Sequence, residues 1–169
     1  MTKTIDPAWY TEARKWIGLK EYPGSKHNPT IMAWAKRLGN KLGIAVKDDE
    51  TPWCGTFVAH CIDTAGLKTA PIAVRAKAWA SWGRQLTDPR PGCILVFTRD
   101  GGGHVGFYAG ETPTHYWVLG GNQGNSVSET MIAKSRLTEG GMRWPLEAPL
   151  PPAKVIKRSA AGKVSTNEA

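Results

Sequence analysis

The residues best suited to covalent chemistry are three cysteines and four histidines, and their settings differ. Cys54 lies two residues after Pro52, where an apolar helical pattern opens, so it falls in the predicted first turn of that helix. Unpaired backbone N–H groups and the positive end of the helix dipole stabilise a thiolate there. The same N–H groups, the cysteine's own among them, can later hold the oxyanion of a tetrahedral intermediate. Cys61, in mid-helix on the apolar face, and Cys93, opening a strand after Pro-Gly, read instead as inert buried thiols. The spacings match no zinc site, and a chain of 169 residues needs no disulfide to supply its core.

A thiolate nucleophile needs an imidazole to share its proton and then donate to the leaving amine. His104 opens a strand after the loop Asp100–Gly103, and the glycines beside it, Gly103 nearest, let substrate and helix terminus approach closely. With His104 turned towards the helix, Gly106 is expected to leave an open lane on the same strand face. His115, at the start of the next strand, is the rival base, because a hairpin brings strand ends together; His27 and His60 are placed less well. Asn122, reached by the strand that follows, leads as the group that fixes the imidazole tautomer, though a turn before Gly124 explains an asparagine there nearly as well. Trp53 and Trp82 are the tryptophans freest to line a substrate groove, against burial as the ordinary alternative. No metal or cofactor is expected: His-Glu-x-x-His, Cys-x-x-Cys, phosphate-loop and dinucleotide patterns are absent. The acidic run Asp48–Glu50 lacks the EF-hand spacing and reads as a solvated approach to the helix.

The elements that must position these groups come as helices first and strands second. Asp6-Pro7 and Asn28-Pro29 each read as an N-cap followed by proline, starting helices that run to about Gly18 and to Gly39 or Gly43. The third helix, from Pro52 to Gly66, places Cys54, Val58, Cys61 and Ala65 on one face, and a shorter helical stretch covers 73–82. After Asp88–Pro91 the period shortens to strand-like runs at 93–97, 104–109, 115–120 and 126–131, with a short last strand at 142–144. This order argues for an α+β domain over residues 1–145, its N-terminal helices packed on a C-terminal antiparallel β-sheet. Residues 146–169, proline-rich and then basic without an apolar period, read as a flexible tail.

Composition is that of a globular protein, 41% hydrophobic and 21% charged. Lysine and arginine number 22 against 14 acids, a net +8 that favours anionic surroundings. The cations are scattered and form no helical stripe, so nucleic acid is not the expected partner. The N-terminus has no apolar segment of the signal-peptide kind, and no stretch reaches bilayer-spanning length. Synthesis in the cytoplasm as a monomer is the expectation, with another agent releasing the protein if it acts outside.

The segments TPWCGTFVAHCIDTAG, PGCILVF, GGGHVGFYAG and VLGGNQGNSVS, in this order, resemble the NlpC/P60 and CHAP superfamily of papain-like cysteine hydrolases. The likeness covers about Ile5 to Pro145 and is nearest to small phage and bacterial endolysins. It implies a papain-like fold, with the nucleophile at Cys54, the histidine at His104 and the third polar residue at Asn122. Some CHAP proteins carry a glutamate two positions before that asparagine, where this chain has Gly120; some bind calcium, at which only Asp48–Glu50 would hint. The implied activity is cleavage of an amide bond in the peptide of bacterial peptidoglycan through an acyl-enzyme. For a phage endolysin it would follow release through a holin into the periplasm or wall, with the positive surface held near anionic wall or outer-membrane lipids. The alternatives are a noncatalytic wall-binding or phage structural module, and the same fold turned to another amide or thioester.

Overall fold

The computed structural model describes residues 6–22, 27–43 and 52–168. Asp48–Glu50 lie outside the described residues. Helix α1 spans Ala8–Lys15 and α2 spans Pro29–Leu38, continued by a 3-10 turn over Gly39–Leu42. The Asn28 side chain caps α2 as its sequence suggests, accepting from the Thr30 N–H at 2.9 Å. Asp6 does not cap α1: its carboxylate pairs with Arg14, and the helix opens directly after Pro7. Helix α3 begins at Cys54 itself and runs to Thr64, with residues 54–62 all buried. The expected helical stretch near residue 80 is a 3-10 helix, Ala76–Ser81.

Six strands follow among the described residues: β1 (Arg84–Gln85), β2 (Ile94–Arg99), β3 (Gly102–Glu111), β4 (His115–Gly120), β5 (Ser128–Ala133) and β6 (Leu137–Trp144). They form one antiparallel sheet in the order β1-β6-β2-β3-β4-β5. The α+β expectation therefore holds, with the helical N-terminal half packed on an antiparallel sheet. Phe107 of β3 meets Phe57 of α3 edge-on, with 6.3 Å between ring centroids, so the helix body packs on the strand face alternate to His104. The expected lane at Gly106 is not open. A Cβ there would stand 2.5 Å from Val118 Cγ1, so this glycine admits the neighbouring strand.

The segment after Trp144 departs most from its sequence reading. It is laid along the sheet as a strap. Glu111 N donates to Ile156 O at 2.7 Å and Arg158 N to Glu111 O at 2.9 Å; farther on, Met131 N donates to Lys163 O and Ser165 N to Met131 O, both at 2.8 Å. Arg158 also stacks 4.1 Å over the Trp117 ring, whose indole N–H donates to Ser159 O. These bonds are mostly main-chain and occupy groups that the ends and edge of the sheet would leave unpaired. An apolar period is not needed for such docking, and composition alone therefore misreads the segment as mobile. No helix among the described residues is long and apolar enough to cross a membrane.

Candidate active site

Cys54 is the first residue of α3, nearly buried at 3% exposure, and borders a cleft with Pro52, Val74, Arg75, Lys77, Arg99 and Gly101–Gly103. Burial pushes its thiol pKa up. Against this act the neighbouring His104 imidazole and the backbone N–H groups of Val105 and Gly55, and the net result lies below the ordinary cysteine value. The other thiols move the opposite way. Burial raises Cys61 well above the ordinary value and Cys93 to about 12, consistent with both being inert.

His104 is fully buried near the start of β3. Burial lowers its pKa, but Cys54, Glu168 and Gln123 together raise it above the ordinary imidazole value. Its Nε2 lies 2.9 Å from Gln123 Oε1. The rest of Gln123 settles who donates: its amide nitrogen donates to Val118 O at 3.0 Å and to Ser128 O at 2.7 Å, which uses both amide hydrogens. The amide oxygen must therefore face the imidazole and accept its Nε2–H. In the neutral imidazole that leaves Nδ1 as the basic nitrogen. Nδ1 is buried without a well-formed hydrogen bond, and after burial the strongest influence on the ring is Cys54. A loose contact of this kind is common before substrate draws catalytic groups together.

Gln123 is held as firmly as it holds His104. Its N–H donates to Ser126 O, and its carbonyl accepts from the Ser126 and Ser128 hydroxyls at 3.0 Å each. Gly120 makes room for this arrangement. A Cβ at that position would stand 2.6 Å from Gln123 Oε1 and 3.4 Å from His104 Nε2. Gly120 thus leaves space beside the imidazole, and the side chain of Gln123 takes it.

Asn122, expected in this role, does not reach the imidazole. It sits in a left-handed conformation, φ 59°, and its amide donates to Glu168 O at 3.2 Å. The one-residue difference follows from the turn: after β4 ends at Gly120, the chain reverses and directs Gln123, not Asn122, back under His104. His115 stands at the far end of β4, where its Nδ1 lies 2.8 Å from the Thr114 hydroxyl. Gly103 borders the cleft. Trp53 and Trp82 do not: Trp53 is 1% exposed with its indole donating to Glu21, and Trp82 packs on Trp79 and donates to Lys68 O. Sequence reasoning missed Gln123 and the cationic cleft wall. Ser126 and Ser128, three and five residues beyond Gln123 and able to hold the turn, were the available signal for the former.

Residues 46–122 match the model of the CHAP domain. Over that segment the chain is similar to a CHAP domain. The match contains Cys54, His104 and Asn122 and ends one residue before Gln123. No curated protein and no solved structure matches the chain. A CHAP domain implies a cysteine–histidine hydrolase acting on peptidoglycan-like substrates, and the family generally comprises cysteine hydrolases. No group of three or more His, Cys, Asp or Glu among the described residues could hold a metal ion.

Proposed function

We propose that the protein hydrolyses an amide bond in the peptide of bacterial peptidoglycan, with Cys54 as nucleophile, His104 as acid and base, and Gln123 as the group that orients His104. The observation that carries this reading is the junction of a stabilised thiol, at the first residue of α3, with a buried imidazole whose tautomer is set by Gln123. The Cys54 thiolate attacks the carbonyl carbon, forming a C–S bond, and the developing oxyanion is received by N–H groups at the start of α3. The His104 imidazolium gives its Nδ1 proton to the leaving nitrogen as the C–N bond breaks. His104 then takes a proton from water, whose oxygen attacks the thioester; the C–S bond breaks and the thiolate returns.

The walls of the cleft favour an acidic peptide. Arg75, Lys77 and Arg99 border it, and no acid does so among the described residues. Peptide carboxylates near the scissile bond would meet those cations. Action in the periplasm or wall as a phage endolysin released through a holin fits the wall substrate and the net positive charge. The test is incubation with purified peptidoglycan, measuring new amino groups and the masses of the released fragments. Wild-type protein is expected to release peptide fragments and a folded Cys54→Ala variant none. Equal release by both would exclude Cys54 chemistry, and wall retention without release would favour a binding module.

A further inference from the structure

The strap ends on a buried ionisable group, Glu168, whose main chain is tied to the turn that bonds the catalytic imidazole. Glu168 has a side chain with 0% exposure, held by Arg136 through both carboxylate oxygens at 2.5 and 3.1 Å and by the Ser165 hydroxyl. Its backbone carbonyl accepts from Asn122, the residue before the one that bonds His104. A carboxylate buried this completely is costly unless its partners are well formed. Here a bidentate guanidinium and a hydroxyl supply them, and Asn122 fixes the main chain.

Resting on the hydrolase reading above, we infer that Glu168 is a positioning residue of the active site. Asn122 locks the strap to the Gln123 turn that bonds His104, and the turn thereby holds a buried carboxylate within the surroundings of the imidazole. The place of Asn122 in the site is therefore structural and indirect: it holds Glu168, and Gln123 holds the histidine. A proton donor to the leaving amine must be protonated when the acyl-enzyme forms, so a fixed negative charge near a buried imidazole bears directly on that step. The charged or ionisable groups around His104 are Cys54 from α3, Glu168 from the strap with Arg136 as its partner, and Arg75, Lys77 and Arg99 in the cleft that Cys54 borders. Gln123 is neutral. Of these, Cys54 and Glu168 favour the imidazolium.

The experiment uses the full chain. In a Cys54→Ser background, which removes the coupled thiolate, the His104 imidazole is titrated by NMR with and without Glu168→Gln. The expected result is a titration midpoint lower by about half a unit or more, a change of roughly threefold in the imidazolium equilibrium. With Cys54 intact, Glu168→Gln is expected to lower kcat about threefold to tenfold and leave KM within about twofold, as for a group that acts on the proton donor and not on binding. A folded Glu168→Gln protein whose midpoint and kcat are unchanged, even with a lower Tm, would overturn the inference and leave the strap a packing element. Should Glu168→Gln not fold, Asn122→Ala decides: it removes the strap's anchor without removing a charge and should move the midpoint the same way by less, whereas an unmoved midpoint in the folded variant overturns the inference. Absence of any wall hydrolysis by the wild type would sink the hydrolase reading alone, because the NMR arm requires no substrate.

Discussion

Among the thiols, reactivity separates Cys54 from Cys61 and Cys93 although all three are buried. The difference is electrical. Cys54 has an imidazole and two backbone N–H donors to support a negative charge, whereas the others meet mainly the cost of burial. Native protein treated with iodoacetamide near pH 7 is therefore expected to take up one label per molecule, located at Cys54 by peptide mass mapping. A label on Cys61 or Cys93 at a comparable rate would contradict this electrostatic account. The imidazole supplies a second comparison. His104→Ala removes the base and should lower turnover on the order of 10²- to 10⁴-fold. Gln123→Ala, which frees the tautomer but keeps the ring, should cost less than His104→Ala and more than Asn122→Ala, while His115→Ala should be nearly silent. Gly120→Ala should mimic Gln123→Ala, because its methyl would fall on the Gln123 oxygen. A folded, fully active Gly120→Ala enzyme would show that the Gln123–His104 bond is not needed for turnover.

At the scale of elements, the helices are joined by a buried polar cluster that plays no part in the chemistry. His60 of α3 stacks on Trp34 of α2, 4.5 Å between centroids and 18° from parallel. One ring nitrogen lies 3.1 Å from a Glu12 oxygen on α1 and the other 2.6 Å from an Arg37 nitrogen on α2. Burial, with Arg37 adding to it, holds the His60 pKa below the ordinary value despite Glu12. The unfolded chain then binds more protons than the folded one near pH 6, so this residue makes the fold less stable as pH falls below about 6.5. His104, with its raised pKa, acts in the opposite sense: its contribution is present below the unfolded value and is lost as pH rises through the folded one. Thermal unfolding at pH 7.5 and pH 5.5 should therefore show a smaller acid-side loss of Tm in His60→Gln than in wild type, even if the variant is less stable throughout. An equal loss in both would assign the acid sensitivity elsewhere. Neither this cluster nor the strap was legible in the sequence, for a shared reason. Glu12 and His60 are 48 residues apart, and Asn122 and Glu168 are 46 apart; polar pairs at such separations leave no periodic trace. What periodicity and turn residues do record came through: α2 with its Asn28 cap, α3 starting two residues after the expected Pro52, and β4 over His115–Gly120. Gln123 lies between these cases, since its role depends on how one turn reverses after β4.

At the scale of the whole molecule, net charge and catalytic geometry make separable contributions. The chain carries a net +8 at neutral pH, with four basic and two acidic residues in 146–169, so six of those charges belong to the rest of the chain. An anionic wall or lipid surface attracts such a protein over a Debye length of roughly 30 Å at 0.01 M salt and about 10 Å at 0.1 M. The Cys54–His104 pair is nearly or fully buried and is screened far less by salt. Raising ionic strength from about 0.01 to 0.15 M at fixed pH should therefore weaken sedimentation of the protein with purified peptidoglycan and slow wall clearing. The rate at which iodoacetamide alkylates Cys54 should scarcely change over the same range, since the reagent is neutral and the thiolate's partners are internal. Hydrolysis of a soluble acidic peptide should fall between the two, because Arg75 and Lys77 at the cleft are exposed but lie within contact distance of a bound substrate. If wall clearing and alkylation slowed together, salt would be acting on the site or the fold; slowing of wall clearing alone would place the effect in the long-range attraction that brings the enzyme to its polymer.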